Sequence, residues 1–541
     1  MVKTLNRTIN RITDLSAPPL LKYICFLFFV VLISVISFFH EPWYDEAQAW
    51  QIARCASLYD IFFTIPHFEG HPPLWHLILA PFAKLGLPYE FSLSFVNIIF
   101  MSAAVWLIIF KTKLPDIMKL TFPFTYFVFY QYGVVSRPYS VMALSFMLCA
   151  VFYKDKEDKP FRMVLSLMLL CATSAYGIVY AFLICIAWLI EIMRGKKFFA
   201  FVKDFVKSRT FYSLLLLAFF AVALLLMIFP SKDSLVAVSR TEADALSYVN
   251  NYLYTFLIMP FDATIGSVST ADINIFEEDF ISAAYIPYFI LSIAIYVLLF
   301  IYAKKSKKLP LFLPFVLMPL FFGSVFLYAH HIGLFMLYLI FFISVCFGTD
   351  EPRSENAPAI FVTTFFITFT YITIIVQLLW TISSCALEIT KKYYPSKDIA
   401  KYISENDLTD QYILPVGYVI KNGYDITHSA YAVITLPYFD KNIFPTVPTG
   451  YITNHYHSEE ELKQQLEDVK KIGLPDCIIG YPSSNTANEE DHSDLLFGYI
   501  FQNAQYSVVC DIESGMIFKG NYTANYTVIY RKETTNAQTA K

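Results

Sequence analysis

The chain is organised around a hydrophobic run and the polar motif that follows it: Tyr23-Ile-Cys-Phe-Leu-Phe-Phe-Val-Val-Leu-Ile-Ser-Val-Ile-Ser-Phe-Phe39, then His40-Glu-Pro-Trp-Tyr-Asp-Glu-Ala47. The run has seventeen residues without a charge, which is the length of a short membrane span. The polar stretch continues to Glu69-Gly-His-Pro-Pro-Leu-Trp-His76. We therefore expect carboxylates and histidines to lie where the first span meets water.

The composition excludes an ordinary soluble protein. Apolar residues make up 57% of the 541 positions, with 53 Phe and 38 Tyr but only 17 Gly, as is typical of a polytopic membrane protein. The net charge of −4 provides no basic face for nucleic acid. The nine cysteines have no C-x-x-C spacing, so we predict neither a metal site nor a disulfide framework.

The apolar runs predict about eleven transmembrane helices. Basic residues cluster in the intervals 111–113, 154–162, 194–208 and 304–308, and the positive-inside rule places all of them in the cytoplasm. The amino end is then cytoplasmic and the carboxyl end external. The expected spans are 23–39, 91–110, 120–136, 138–153, two halves of 163–190, 211–229, 280–303, 309–329, 332–348 and 358–387.

The run 163–190 needs a break. As one helix its twenty-eight uncharged residues would measure roughly 42 Å, against a hydrocarbon core of about 30 Å. Two short helices that break near Thr173-Ser-Ala-Tyr-Gly177 keep both basic flanks on one side. Half-length helices are tolerated where the break lines a protein cavity, so the break also points weakly to a site.

The fold class we predict is an all-α polytopic membrane domain over residues 1–387, followed by a small extracytoplasmic α/β domain over 388–541. The membrane domain carries two long external loops, 40–90 and 230–279, and residues 72–86 are expected to form a helix in the membrane interface. Short β-like segments at 412–416, 477–480, 506–510 and 526–530 alternate with helical ones in the second domain.

Polar groups from three distant stretches should meet at the external side, with Asp45 and Glu46 as the candidate catalytic residues. They are Asp45, Glu46, His67, Glu69, His71 and His76 in the first loop, Arg137 after the third span, and His330 and His331 after the ninth. Charged groups near lipid are costly and usually functional. Structural alternatives stay open for each kind of residue. Asp-Glu pairs cap helices, Arg137 can snorkel at a helix end, the two histidines can be a neutral interfacial pair, and Pro72-Pro73 can start a helix.

These motifs resemble those of the GT-C superfamily of membrane glycosyltransferases. The similarity lies in the Asp-Glu and Trp of the first external loop, in Glu69-Gly-His-Pro-Pro-Leu-Trp-His76 and in Ser136-Arg-Pro-Tyr139, and its architecture covers residues 23–350. Protein O-mannosyltransferases, the lipid A aminoarabinose transferase and bacterial dolichyl-phosphate-mannose-type transferases are the most similar members. The resemblance implies a polyprenyl-phosphate sugar donor, an acidic catalytic base in the first loop and inversion at the sugar carbon.

In this resemblance Asp45 matches the family's acid by position, and Glu69 matches the acid before Pro-Pro-Leu. The chain departs at His71, where the aminoarabinose-transferase pattern has lysine, so phosphate contact at that position is in question. We expect Glu69, His71, Arg137, Tyr139, His330 and His331 to bind substrate. No cofactor is expected, although a divalent metal is left open.

The chemistry of the residues agrees with the resemblance. Attack of a hydroxyl on an anomeric carbon needs a carboxylate to take the proton and a cation to hold the departing phosphate. Asp45 can do the first and Arg137 the second, whereas Glu46 points about 100° away on a helix. Expected partners are the donor, a glycan, lipid or protein acceptor, and membrane lipid, but no nucleic acid. The alternatives are a transporter or flippase of lipid-linked saccharides, or an assembly factor without chemistry.

Overall fold

The protein is a helical membrane domain joined to a small domain that contains a β-sheet. The computed structural model describes residues 2–235, 237, 245–268, 275–277, 280–325, 328–348, 357–416, 419–420, 423–424, 430–455, 459–480 and 499–533. Within them, seven helical segments are long and apolar enough to cross a membrane: Pro19–Phe39, Tyr89–Phe110, Ala175–Met193, Arg209–Ile228, Ala283–Lys305, Ala329–Phe347 and Ile360–Thr390. Shorter apolar helices are Tyr139–Phe152, Pro160–Cys171 and Leu309–Ser324.

The remaining helices lie between the apolar helices of the first domain, before the first of them, or in the second domain. Those of the first domain are Val2–Thr13, Tyr44–Cys55, Leu58–Phe63, Pro66–Glu69, Leu74–Lys84, Asp116–Thr121, Phe198–Phe205, Ala245–Leu257 and Met259–Asp262. Those of the second are Ser396–Glu405, Ala430–Thr435 and Glu459–Ile472. Two helices therefore lie in the expected loop 230–279, of which residues 236, 238–244, 269–274 and 278–279 lie outside the described residues.

The run 163–190 forms two helices, as predicted. Pro160–Cys171 ends just before the break, and Ala175–Met193 begins after Ser174, whose hydroxyl accepts a hydrogen bond from the Gly177 amide at 3.2 Å. The two helices approach closely at this point. A Cβ on Gly177 would lie 2.1 Å from the Leu170 carbonyl oxygen, so the corner requires glycine.

The run 120–136 is less regular than a single span. It contains the end of Asp116–Thr121, a 3-10 turn at Phe122–Phe124 and a π-helix at Phe127–Val134. Pro123 lacks the amide that a continuing α-helix would need. Asn97 Nδ2 donates to the carbonyl oxygens of Tyr132 and Gly133 at 3.1 and 2.8 Å, which satisfies backbone groups near the end of the π-helix.

Basic intervals that were expected on one side of the membrane lie together. Glu191 binds Lys156 at 2.9 Å and Lys308 at 3.2 Å, so the loops 154–162 and 304–308 meet the end of the helix that precedes 194–208. Asp116 binds Lys22 at 2.7 Å near the interval 111–113. The Glu191 contacts thus bring two of the basic loops and the start of a third to the same end of the helical domain.

The second domain is built on a mixed four-stranded sheet. Its order is Ile413–Pro415, Cys477–Gly480, Asn521–Lys532 and Tyr506–Phe518, with the first pair parallel and the other two antiparallel. All four predicted β segments are therefore strands, and the last two are longer than predicted. Two-residue strands also pair at Phe276–Glu277 with Phe280–Ile281 and at Val419–Ile420 with Gly423–Tyr424.

The two domains are in direct contact. The helix Tyr44–Cys55, which we call the motif helix, donates from Gln51 Nε2 to the Gly450 carbonyl at 2.8 Å. Gln48 on the same helix exchanges two hydrogen bonds with the backbone of Ile452. The turn of the long hairpin reaches the other domain as well, where Lys519 Nζ binds Asp262 Oδ1 at 2.6 Å.

Candidate functional site

The motif helix is capped by its own third residue. Glu46, its third residue, is fully buried, and its Oε2 accepts a hydrogen bond from the Trp43 amide at 3.1 Å. Its Oε1 accepts from the Ser136 amide at 2.6 Å. Glu46 therefore holds together the two chain segments that carry Asp45 and Arg137.

A buried histidine balances this carboxylate. His40 lies between two acids, with Nε2 at 2.9 Å from Glu46 and Nδ1 at 2.9 Å from Glu388. Burial alone would lower the pKa of His40, but the two carboxylates outweigh it and raise that pKa to about 10. The imidazole is then a cation at neutral pH. Tyr130 donates its hydroxyl to the second oxygen of Glu388.

Asp45 and Arg137 form an ion pair. The contact joins Arg137 Nη1 to Asp45 Oδ2, and among the described residues no group donates a hydrogen bond to Asp45 Oδ1. Burial acts to raise the pKa of Asp45, but the Arg137 guanidinium outweighs it and holds that pKa below its ordinary value. The Asp45 side chain is 28% exposed, so it is not closed off completely by the protein around it.

Aromatic rings flank Arg137 on two sides. The guanidinium carbon lies 5.7 Å from the Trp43 ring centroid and 5.8 Å from that of Tyr139. Within the described residues, neither Trp43 Nε1 nor the Tyr139 hydroxyl has a hydrogen-bond partner, although both atoms are buried. Buried donors without partners beside a guanidinium are suited to hold the oxygens of an anion.

The two predicted histidines that follow the ninth expected span lie beside the same rings. The His330 ring lies 5.6 Å from Trp43 and 5.9 Å from Tyr139, and His331 is 4.1 Å from His330. The Tyr176 ring, from the break between the two short helices, packs 4.6 Å from His331. The break therefore lines the site, as the helix lengths indicated.

Glu69 and His71 occupy the next part of the loop. The His71 Nδ1 donates to the Thr173 carbonyl at 3.4 Å, which leaves Nε2 as an acceptor. Burial and the Arg137 charge together lower the pKa of His71 to about 4, so it is neutral at pH 7. His71 thus cannot replace the charge of a lysine.

Glu69 is held one turn of the motif helix away from Asp45. Its carboxylate lies 3.1 Å from His76 Nε2 and accepts from Gln48 Nε2 at 3.3 Å. Burial acts to raise the pKa of Glu69, but the His76 hydrogen bond outweighs it and keeps that pKa low. Glu69 is therefore an anion with two polar neighbours already in place.

The structure brings Asp45, Arg137, Tyr139 and His330 into one cluster, with His71 and His331 at its edge. Glu46 belongs to the buried network behind it. Sequence reasoning missed His40 and Glu388 as members of that network. Glu388 could have been found, because it is a carboxylate at the end of a long apolar run, and such residues are functional by default.

Comparison with protein-family models and with curated proteins identifies no relative. No model of a known protein family matches the chain, and no curated protein is significantly similar to it. Among the described residues, no group of three or more His, Cys, Asp or Glu is arranged to hold a metal ion. Function is therefore argued from the site itself.

Proposed function

We propose that the protein is an inverting glycosyltransferase that moves a sugar from a polyprenyl-phosphate donor to an acceptor at the external membrane face. The observation that supports this most is the Asp45–Arg137 pair, in which one carboxylate oxygen is free and two buried donors beside the guanidinium lack partners. A base and an anion-binding group are thus adjacent, as glycosyl transfer from a phosphate requires.

The proposed reaction has one displacement step. The acceptor hydroxyl attacks the anomeric carbon while Asp45 takes its proton, and the bond from that carbon to the phosphate oxygen breaks. The electron pair leaves with the polyprenyl phosphate, whose charge Arg137 neutralises. Attack opposite the leaving group inverts the configuration of the sugar carbon.

Donor binding would also activate the base. In the free protein Arg137 lowers the pKa of Asp45, which keeps the carboxylate ionised but makes it a weak proton acceptor. A donor phosphate competes for the same guanidinium. When the guanidinium also binds the phosphate, it stabilises the Asp45 carboxylate less. The pKa of Asp45 then rises toward its ordinary value, and the carboxylate becomes a better base.

The other predicted residues take supporting roles in this proposal. Tyr139 and His330 contribute a hydroxyl and a ring beside the phosphate position, and His331 and Tyr176 support that wall. His71 Nε2 and Glu69 are placed to accept hydrogen bonds from sugar or acceptor hydroxyls. Because the contacts of Glu46 use both its oxygens, we assign it to positioning and leave the base to Asp45.

We also propose the topology of eleven spans with the amino end in the cytoplasm and residues 388–541 outside. The shorter apolar helices and the broken segment 116–134 would supply the spans beyond the seven long candidates. The grouping of the basic loops supports this arrangement, because loops with a wrong parity would lie at opposite ends.

The test is an assay of covalent transfer. Purified protein is incubated with radiolabelled polyprenyl-phosphate sugars and a membrane extract, with Asp45→Asn as the matched inactive variant. Label in a new product that depends on Asp45 supports the proposal. A transporter or flippase would move the labelled lipid across vesicles and form no product with any variant, and that result would overturn the proposal.

A further inference from the structure

We infer that His40 and Glu388 are positioning residues, which act through Glu46 to fix Asp45 and Arg137 relative to each other. The inference rests on the proposed function, because it assigns these residues to the same transfer reaction. Neither residue touches the Asp45–Arg137 pair in the structure, so their effect must pass through the contacts of Glu46.

Glu46 is the point where the two reactive segments are joined. One of its oxygens accepts from the Trp43 amide, two residues before Asp45, and the other accepts from the Ser136 amide, directly before Arg137. A shift of this carboxylate therefore moves both partners of the ion pair. The reaction geometry depends on tenths of an ångström, and a misplacement of about 1 Å can cost roughly 100-fold in rate.

His40 binds the Glu46 carboxylate by a direct hydrogen bond. It follows the end of the helix Pro19–Phe39, and its Nε2 binds the same Glu46 oxygen that caps the motif helix. A buried carboxylate that loses its hydrogen-bond partner is destabilised, so the His40 ring holds the Glu46 side chain in place. The Tyr393 ring packs on His40 at 5.0 Å and limits its rotation.

Glu388 completes the network from another part of the chain. It lies in Ala357–Thr390, the helix that contains the last candidate membrane span, and one of its carboxylate oxygens lies 2.9 Å from His40 Nδ1. Its other oxygen accepts from Tyr130, which is part of the π-helix Phe127–Val134 that leads to Arg137. The network thus connects the first span, the last span and the segment before Arg137, and each of its three charged groups is buried.

The experiment is a charge-based double-mutant cycle. His40→Gln leaves two buried carboxylates facing each other, whereas the double variant His40→Gln/Glu388→Gln restores the net charge of the wild-type trio. We expect His40→Gln to lower kcat about 10- to 100-fold with donor KM within about threefold, since Arg137 still binds phosphate. The double variant should recover about fivefold or more of the lost kcat, because the repulsion is removed.

A matched control separates positioning from simple destabilisation. Lys156→Met breaks a buried ion pair with Glu191 at the other end of the helical domain. It should lower thermal stability but leave kcat and KM within about twofold of wild type. If the control lowers kcat as much as His40→Gln does, the kcat loss reports destabilisation and the inference is wrong.

Hydrogen exchange gives a readout that does not depend on activity. In detergent-solubilised protein, His40→Gln and Glu388→Gln should speed exchange in peptides that contain the Trp43 and Ser136 amides, and Lys156→Met should not. Unchanged exchange in those peptides, or kcat within about twofold of wild type in both single variants, overturns the inference even if Asp45→Asn is inactive. If wild type transfers no sugar but the exchange responds, the proposed function fails and the positioning role for the transfer reaction falls with it.

Discussion

Charged side chains are buried at both ends of the short helix Tyr139–Phe152, about 21 Å apart at 1.5 Å per residue. At one end, Glu191 binds Lys156 and Lys308, and both ammonium groups lie over the Tyr153 ring at 4.0 and 5.1 Å. At the other end, Asp45 binds Arg137, which lies between two aromatic rings. The two clusters use the same types of residue, an acid, a cation and an aromatic ring.

The clusters differ in which atoms remain available. Each oxygen of Glu191 binds a lysine, and the Glu191 side chain is 13% exposed. Asp45 uses one oxygen, is 28% exposed, and has buried donors without partners beside it among the described residues. Burial of charge therefore does not by itself distinguish a site from a structural contact. The unused carboxylate oxygen of Asp45 does, because both oxygens of Glu191 bind lysines, whereas a buried hydroxyl without a partner among the described residues also lies beside Glu191, at Tyr153.

The largest effect that tests this difference is expected at Asp45. Asp45→Asn keeps the size of the side chain but removes proton acceptance, so turnover should fall on the order of 10²–10⁴. Donor binding should change far less, because a neutral amide does not repel a phosphate. The measurement is single-turnover product formation beside donor binding.

The matched control for this variant is Asp60→Asn. Asp60 lies in the same interval 40–90, and its carboxylate accepts hydrogen bonds from the nearby hydroxyls of Ser57 and Thr64, so the turnover of Asp60→Asn should stay near wild type. If Asp45→Asn is active and Glu46→Gln is inactive, the catalytic base is Glu46 and not Asp45. If both are active, the first loop is not the catalytic centre.

A smaller effect is expected at Arg137. Arg137→Lys retains the charge but loses the planar fork that binds two phosphate oxygens, and it loses stacking on Trp43 and Tyr139. Activity should fall about 10- to 100-fold, with weaker donor binding, while the protein still inserts in the membrane. Wild-type donor affinity in Arg137→Ala would contradict a phosphate contact at this residue.

The sequence predicted the parts of the fold that depend on hydrophobic length. The break in 163–190 was predictable because the hydrocarbon core of a membrane has a nearly constant thickness, which limits the length of a span. The four strands of the second domain follow from short β-branched and aromatic runs. The π-helix at Phe127–Val134 was not predictable. It depends on Asn97 from another helix, and a hydrophobicity pattern does not show such a partner.

The candidate site was predictable in its members but not in its connections. Asp45, Arg137 and His330 were selected because polar groups at span ends are costly, and they do lie together. Helix geometry already separated Asp45 from Glu46, but the contacts of Glu46 needed coordinates, since the Ser136 amide that it binds is 90 residues away. His40 was counted only as part of the motif, because its partner Glu388 is 348 residues away.

A still smaller effect, measured as thermal stability, is expected from pH. The pKa of His40 in the folded protein is about 10, above the ordinary value of 6.5, so its contribution to stability is complete below about pH 6.5. That contribution is lost as pH rises through 10. Thermal unfolding of wild type should therefore shift down by several degrees between pH 7 and pH 10, and less in His40→Gln. An equal shift in both would show that other groups cause it.

Cysteine labelling near the Asp45 cluster and near the Glu191 cluster tests whether the two clusters face opposite sides of the membrane. It is the prediction with the smallest expected effect on activity. Cys55, at the end of the motif helix, is exposed and should react with a membrane-impermeant maleimide in intact cells. Cys510 is partly exposed and is removed together with Cys55, so the double variant Cys55→Ser/Cys510→Ser should not be labelled. When Ser306→Cys is added to this double variant, beside Lys308, labelling should return only after the cells are permeabilised. Turnover should stay near wild type throughout, since none of these positions contacts Asp45 or Arg137. Labelling of Ser306→Cys from outside, with Cys55 protected, would reverse the topology and move the Asp45 cluster to the cytoplasmic face.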